Sequence, residues 1–208
     1  MIRTKPSRKV SSWAAGVAMT AFLLAACGQG TDKDTQAADP VPEETTASAS
    51  GPGAQTFGPA CSAIPKSGAG SFNGMATEPV ASAASANPLL KTLVAAVTEA
   101  DLVDTLNSAD SLTVFAPTDE AFAKIPKADL EALMADKAKL TAVLTHHVVA
   151  GELDPSEVVG EHETLAKDMV TVKGDESGMT VGKASKVLCG NIPTDNATVY
   201  VIDTVMIP

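Results

Sequence analysis

Aromatic residues are scarce in this chain of 208 residues, which contains one tryptophan, one tyrosine and five phenylalanines. They make up 3% of the sequence, whereas hydrophobic residues of all kinds make up 45%. A folded core must therefore be built mostly from aliphatic side chains. The length suits one globular domain with extensions.

Positive charge is scarce as well. The chain has 15 lysines and arginines against 25 aspartates and glutamates, a formal net charge of −10. Nucleic-acid binding needs clustered lysine and arginine to displace counterions from phosphates, so we expect no nucleic-acid partner. No basic amphipathic stretch follows the N-terminus, which argues against membrane binding by charge alone.

The familiar catalytic signatures are missing. The sequence has no His-Glu-x-x-His, no Gly-x-Ser-x-Gly and no phosphate-binding loop. Its histidines are His146, His147 and His162, and if the first two lie on a strand they point to opposite faces and cannot readily share a metal. We therefore expect no enzyme, no metal site and no cofactor. A catalytic pair of carboxylates is the alternative that the sequence leaves open, because acidic residues are plentiful.

The N-terminus has the organisation of an export signal. Four basic residues precede an apolar segment at residues 13–26, which is too short to span a bilayer of about 30 Å comfortably. The segment ends in Leu24-Ala25-Ala26-Cys27, which resembles a bacterial lipobox. We predict a signal peptide at residues 1–26 and a diacylated Cys27, with palmitate among its acyl chains, that anchors the protein in the membrane. Loss of the four basic residues changes the net charge from −10 to −14. A plain secretory signal with a chance cysteine is the alternative.

Residues 27–57 have the composition of a disordered linker. After Cys27 they are rich in Ser, Thr, Pro, Ala, Gly and acidic residues, and Val41 and Phe57 are almost the only large apolar side chains. Such a segment buries too little surface to offset its chain entropy. As a flexible coil it reaches roughly 30 Å on average. Its serines and threonines are candidate sites for O-linked sugars.

Two cysteines remain after the lipobox, Cys61 and Cys189. In an exported protein two thiols are expected to form a disulfide bond. This bond would close a loop of about 130 residues and contribute roughly 5 kcal/mol in the chain-entropy model, before any strain is subtracted. Free or metal-binding thiols are the weaker alternative, because no further ligand has zinc-like spacing.

The chain is organised around residues 113–122, TVFAPTDEAF. The period-2 alternation in its first half predicts a strand, and Pro117 ends that strand. Thr118 can cap a following helix through its hydroxyl, with Asp119 near the positive end of the helix dipole. We predict a buried strand that turns sharply into a short helix.

Helical spacing of apolar residues dominates before and just after this stretch, and period-2 alternation dominates the rest. Helices are predicted near residues 79–86, 89–100 (begun by Asn87-Pro88), 102–106, 130–134 and 140–144. Strands are predicted at residues 148–149, weakly at 164–165, at 170–172 and 179–181 as a hairpin, at 185–189 and at 198–207. This order predicts an α+β domain.

Three ordered motifs resemble one family. TVFAPTDEAF at residues 113–122, LTHHVVAG at 144–151 and VYVIDTVMIP at 199–208 are similar to the conserved boxes of the fasciclin (FAS1) domain. The motifs lie within residues 80–208, and the resemblance implies a single FAS1 domain over 58–208, a β-sandwich-like wedge packed with short helices. The motif residues, for which a structural role is expected, are Thr113, Phe115, Ala116, Pro117, Thr118, Asp119, Phe122, His147, Val199, Ile202 and Asp203.

The two neighbouring histidines differ in how they compare with the family motif. His147 matches the family's motif histidine, for which a buried, hydrogen-bonded ring is expected. His146 stands where the family usually has tyrosine. The integrin contact linked to that neighbourhood in animal relatives is therefore not carried over.

The whole chain also resembles the lipid-anchored fasciclin antigens of the mycobacterial cell envelope. We expect a monomer on the outer face of the cell membrane, also shed, that mediates adhesion or interaction with an unknown extracellular protein or matrix component. The alternative is a lipoprotein that binds a small apolar ligand between its helices and sheet, which needs a pocket larger than about 300 Å³.

Overall fold

The computed structural model describes residues 51–208. The predicted signal peptide, Cys27 and the linker up to residue 50 lie outside the described residues. Within residues 51–208 no helix is long and apolar enough to cross a membrane.

The helical elements come first along the chain. They are a 3-10 helix at Pro59–Ala63 and the α-helices α1 Phe72–Met75, α2 Val80–Ala86, α3 Lys91–Glu99, α4 Val103–Asn107, α5 Asp119–Ala123, α6 Lys127–Ala135 and α7 Lys137–His146. The strands are β1 Leu112–Pro117, β2 Val148–Ala150, β3 Gly160–Glu163, β4 Met169–Lys173, β5 Thr180–Val181, β6 Ser185–Pro193 and β7 Ala197–Ile202. The predicted α+β architecture is confirmed.

The strands form one mixed sheet in the order β2-β1-β7-β6-β5-β4-β3. Strands β1 and β7 run parallel, with Leu112 opposite Ala197 and Pro117 opposite Ile202, and the other pairs are antiparallel. The two edges approach each other through a single bridge between Val149 and Thr164, but the sheet does not close into a barrel.

Every residue of β1 and β7 is buried, because both faces of these central strands are covered. Alternation along β1 sends Val114 and Ala116 into a core shared with the helices, and sends Phe115 into a second core on the opposite face. Phe115 packs there against Tyr200 of β7, with ring centroids 5.8 Å apart. Phe57 also packs against this second core, whereas the first core is mostly aliphatic and contains Phe122 as its buried aromatic residue.

The strand-to-helix turn at residues 113–122 forms as predicted. Pro117 is the last residue of β1, and Thr118 is the N-cap of α5. The Thr118 hydroxyl oxygen accepts a hydrogen bond from the Ala121 N–H at 3.2 Å.

Several predicted boundaries differ from the structure, and three of them have an identifiable cause. Helix α3 begins at Lys91 and not at residue 89, because the Asn87 side chain accepts the Leu89 N–H in a turn instead of capping the helix. Strand β3 ends at Glu163, so the weak strand predicted at 164–165 is reduced to the bridge at Thr164. Strand β7 ends at Ile202 and not at residue 207, because the Asp203 side chain accepts the Lys186 N–H and the Met206 N–H donates to the His147 ring.

An N-terminal segment is fastened to β6. Cys61 and Cys189 form a disulfide bond across 128 residues of sequence, as predicted. Phe57 and Gly190 form an isolated antiparallel bridge, with the Gly190 N–H donating to the Phe57 carbonyl at 2.8 Å. A Cβ at residue 190 would lie 2.4 Å from the Phe57 ring, so the close approach requires glycine. Phe57 therefore pairs with the folded domain.

Candidate functional site: the histidine junction and the groove beside it

His147 joins the end of α7 to the C-terminal segment. Its side chain is 2% exposed. The Nδ1 atom lies 2.7 Å from the Val143 carbonyl oxygen, and the Nε2 atom accepts the backbone N–H of Met206 at 2.9 Å. Since a carbonyl only accepts and an N–H only donates, the ring is neutral with its proton on Nδ1. Both ring nitrogens are occupied.

Burial sets the protonation of this ring. Desolvation lowers the pKa of His147 to about 4, with a smaller contribution from neighbouring His146, against the opposing effect of the Val143 hydrogen bond. A neutral imidazole with both nitrogens hydrogen-bonded inside the domain is a structural group. It is not placed to bind a metal or to exchange protons with a substrate.

His146 and His147 lie at the end of a helix, and not on a strand as was considered from the sequence. His146 is the last residue of α7 and His147 is the helix C-cap. The two rings are nearly perpendicular, with centroids 6.2 Å apart. Among residues 51–208 no group of three or more potential ligands is arranged to hold a metal ion.

The His146 ring bonds to a carboxylate. Its Nδ1 atom lies 2.7 Å from Asp168 Oδ2, and the Thr164 hydroxyl bonds to the other oxygen of the same carboxylate. Burial acts to raise the pKa of Asp168, but the bonds from Thr164 and His146 outweigh it and the pKa is lowered. The hydroxyl is directed at the carboxylate and not at the imidazole, so His146 does not activate Thr164 as a nucleophile.

Asp119 lies in the first turn of α5, as predicted, and its carboxylate also bonds to another helix. Its carboxylate accepts the Thr92 N–H at 2.7 Å, and its own N–H donates to the Leu89 carbonyl at 2.9 Å. The carboxylate thus caps the first turn of α3, an element more than twenty residues earlier, and ties the two helices together.

Asp203 is a second polar tie. Its Oδ1 atom accepts the Lys186 N–H at 2.8 Å, and its Oδ2 atom lies 3.2 Å from the Lys124 ammonium. Burial acts to raise the pKa of Asp203, but the bonds from Lys186, Thr204 and Lys124 lower it. This tie holds the end of β7 against the start of β6 and the end of α5.

The remaining motif residues are buried in or beside strands β1 and β7. Thr113 donates its hydroxyl to the Gly151 carbonyl at 2.7 Å and accepts the Leu153 N–H at 2.9 Å. The others fill the two cores and are Phe115, Ala116, Phe122, Val199 and Ile202. These motif residues are therefore buried or hydrogen-bonded within the domain, where they support its fold.

Asn196 is a polar centre that the sequence reasoning missed. Its side chain is buried, with Oδ1 accepting the Val80 N–H at 2.9 Å and Nδ2 donating to the carbonyls of Leu106 at 2.9 Å and Ala109 at 2.8 Å. It therefore joins α2, the end of α4 and the loop between α4 and β1. Only its place directly before the apolar strand β7 marked it in the sequence.

Two concave regions adjoin the two histidines, one at His147 and one at His146. The first is an apolar cavity of about 60 Å³ between helices α2 to α4 and the sheet, with His147 in its wall. The second is an open groove of about 650 Å³ beside His146, which we name the C-terminal groove. Its lining comes from β4 with Asp168, from residues 182–185 and from residues 204 and 206–208.

Comparison of the sequence with known proteins finds one family and several similar proteins. The family model described as Fasciclin domain matches residues 88–208. The cell surface glycolipoprotein MPT83 of Mycobacterium tuberculosis is 40% identical over 220 residues, covering 100% of this chain and 97% of that protein. The immunogenic protein MPB70 of Mycobacterium bovis is 46% identical over 159 residues, covering 73% of this chain and 81% of that protein.

Among solved structures, a FAS1 domain pair from the insect cell adhesion molecule Fasciclin I matches with a TM-score of 0.48 and 20% sequence identity. The match covers 58% of this chain and 46% of that one.

Proposed function

The chain belongs to the fasciclin-domain family, and from this premise we propose that it is a lipid-anchored protein of the cell envelope that mediates adhesion or protein–protein interaction. Cys27 carries the acyl chains on the outer face of the membrane, and some of the protein is shed. The linker holds the domain away from the bilayer. The domain acts as a monomer towards an extracellular protein or matrix component.

One observation carries this proposal. The similarity to a cell surface glycolipoprotein runs over the full length of the chain and over 97% of that protein. It therefore includes the N-terminal residues with Leu24-Ala25-Ala26-Cys27 as well as the domain. A lipid anchor and an extracellular domain are expected together, since two acyl chains retain a protein stably at a membrane.

The occupied side chains support a role in presenting a surface. His147 uses both ring nitrogens within the domain, and the carboxylates of Asp119 and Asp203 accept backbone N–H groups. Within residues 51–208 every buried side-chain nitrogen or oxygen has a hydrogen-bond partner. These motif groups stabilise the fold, so we propose no catalytic role for them.

The alternative function, binding of a small apolar ligand, finds no support in the cavity. A ligand pocket occupies roughly 300–1,000 Å³. The apolar cavity between helices and sheet measures about 60 Å³, and it would have to expand several-fold to admit such a ligand.

Photo-crosslinking on intact cells tests the proposal. A photoreactive residue is placed at exposed positions of the lipidated chain, and captured proteins are quantified against the chain without the photoreactive residue. We expect saturable capture of an envelope or matrix protein. Capture that does not saturate, together with a defined small molecule retained in native mass spectrometry or a measurable turnover, would move the protein to the ligand-binding or enzyme class.

A further inference from the structure

The C-terminal groove is the concave region that the motif residues do not fill. On one wall Met169, Thr171 and Lys173 alternate along β4, so their side chains share one face of the sheet. The rest of the lining, which we call the second wall, consists of residues 182–185 and of residues 204 and 206–208. His146 and Asp168 also line the groove and bond to each other.

Both walls are held in place by long-range bonds. The backbone of Met206 donates to His147, and Lys186 donates to Asp203 beside Thr204. The Gly182 N–H donates to the Thr171 carbonyl at 2.8 Å and joins the two walls at one end. The groove is thus formed before any partner arrives, which lowers the entropic cost of binding.

Exposed apolar side chains are concentrated in this groove. Three large hydrophobic residues within residues 51–208 are more than a third exposed, namely Val159 at 39%, Met169 at 58% and Ile207 at 59%. Met169 and Ile207 both line the groove, one on each wall. Apolar side chains left in water gain free energy when a partner covers them.

Two unpaired lysines lie in the groove of an acidic domain. Residues 51–208 contain twice as many acidic residues as lysines. The charged side chains that line the groove are the exposed Lys173 and Lys183, and Asp168, whose carboxylate already bonds to His146 and Thr164. Pro208, the last residue of the printed sequence, lines the groove as well with its α-carboxylate, so the attraction for a partner comes from the two lysines and not from a net positive charge. Neither lysine has an ion-pair partner among the described residues, and both can bond to carboxylates of a partner.

We propose that the C-terminal groove binds an extended acidic segment of a partner protein, with a bulky apolar side chain between Met169 and Ile207 and carboxylates on Lys173 and Lys183. Met169 and Lys173 are four residues apart on one strand, a span of about 13 Å. The matching segment therefore carries its apolar residue about four positions from its acidic residues. This inference rests on the proposed function and identifies the surface and the chemistry of the partner.

The test uses the full lipidated chain in detergent micelles and fluorescence anisotropy with a labelled peptide of about ten residues. The peptide carries a leucine four positions from a pair of glutamates. Matched peptides replace the glutamates by lysines, or the leucine by serine. We expect the parent peptide to bind, both replacements to weaken it at least tenfold, and added salt to weaken it further, because salt screens exposed charges.

Variants of the chain assign the binding to the groove. We expect the double changes Lys173→Glu with Lys183→Glu, and Met169→Ser with Ile207→Ser, each to weaken binding at least tenfold at an unchanged melting temperature. The matched controls are Lys66→Glu with Lys91→Glu and Val159→Ser, all at exposed positions outside the groove. Equal binding by groove and control variants, or no binding of the peptide at millimolar concentration, would overturn the proposal.

Other occupants give different results. Binding to vesicles with anionic lipid but not to the peptide, or groove-dependent dimers in sedimentation, would replace the acidic segment by a membrane or a second copy and overturn the proposal. Crosslinking separates this inference from the proposed function. A partner that groove variants capture as well as wild type leaves the proposed function standing, whereas a wild-type chain without any saturable partner removes both.

Discussion

The Nε2 atom of His147 accepts the backbone N–H of Met206 at 2.9 Å, and this bond connects residues 59 positions apart in the sequence. On its other side the same ring bonds to the Val143 carbonyl within α7. One buried imidazole therefore joins the helical layer to the segment that forms a wall of the C-terminal groove.

Replacing His147 by alanine should act mainly on stability. Two buried partners, the Val143 carbonyl and the Met206 N–H, would lose their bonds, at a cost of about 1–3 kcal/mol each. We expect the free energy of unfolding to fall by roughly 2–5 kcal/mol in urea titration. His162→Ala is the matched control, because the His162 ring also bonds to a carbonyl four residues earlier but is only partly buried. A fully stable variant that has lost a bound metal or a turnover would contradict the structural role.

The pKa of His147 predicts an acid-sensitive stability. The folded ring titrates at about 4 and the unfolded ring near 6.5, so between these values the unfolded chain binds one proton more than the folded chain. Stability should then be complete above pH 6.5 and decrease as the pH falls towards 4, by roughly 3 kcal/mol in total. Urea titrations at several pH values check this.

The His147→Ala variant is the control for this pH dependence. Carboxylates with lowered pKa values, such as Asp168 and Asp203, add their own loss of stability at lower pH, below the usual carboxylate range. If the wild type and the variant lose stability equally between pH 6.5 and 4.5, the ring does not titrate as the structure indicates.

Reduction of the disulfide between Cys61 and Cys189 should lower the melting temperature. The bond closes a loop of 128 residues, for which the chain-entropy model gives a contribution of roughly 5 kcal/mol before strain is subtracted. Phe57 should detach from Gly190 before the core unfolds, because one backbone bridge holds this pair. Hydrogen exchange at the Gly190 amide, measured with and without reductant, reports that step.

A variant with serine at both positions should melt at the lower temperature with or without reductant. Peptide mapping under non-reducing conditions that finds both thiols free in the exported protein would refute the bond.

Replacing Cys27 by alanine should abolish acylation and leave the protein unprocessed or released into the medium. Because the mature chain is strongly acidic, charge alone cannot retain it on an anionic membrane, and wild type should stay bound after a high-salt wash. Intact mass spectrometry measures the acyl chains. A mature wild-type chain without lipid would contradict the anchor.

Asn196→Ala should be among the most destabilising polar substitutions in the domain. The change leaves the Val80 N–H and the carbonyls of Leu106 and Ala109 without their buried partner, and we expect a loss of roughly 2–5 kcal/mol. The exposed Asn73 is the control, for which alanine should change stability by less than about 0.5 kcal/mol. Equal effects in thermal unfolding would show that Asn196 does not join these elements.

Sequence patterns that extend over a few residues were sufficient to predict many of the helices, strands and turns. The alternation in 113–117, the cap at Thr118 and the hairpin around residues 174–178 all appear in the structure. The predicted start of α3 was wrong for a local reason, because the Asn87 side chain accepts the Leu89 N–H in a turn and the helix begins at Lys91. The predicted end of β7 was wrong for a long-range reason, because the Met206 N–H donates to the His147 ring.

The candidate site was predictable only in part. The burial of His147 was expected from the family motif, but its bond to Met206 was not, and His146 was considered as a strand residue although it ends α7. The C-terminal groove was not foreseen at all. Its walls come from β4 and from the last residues of the chain, and no sequence period relates the two.

The sequence by itself determined the α+β class, the capped strand-to-helix turn and the pair of cysteines, because alternation, capping and residue type act over short distances along the chain. Only the tertiary structure decided that the Asp119 carboxylate caps α3, that Asn196 joins α2 to the end of α4, and that Met169 and Ile207 line the same groove. These relationships depend on which distant segments the packed sheet brings together. A hydrogen bond or a surface acts over a few ångströms in space, whatever the separation in sequence.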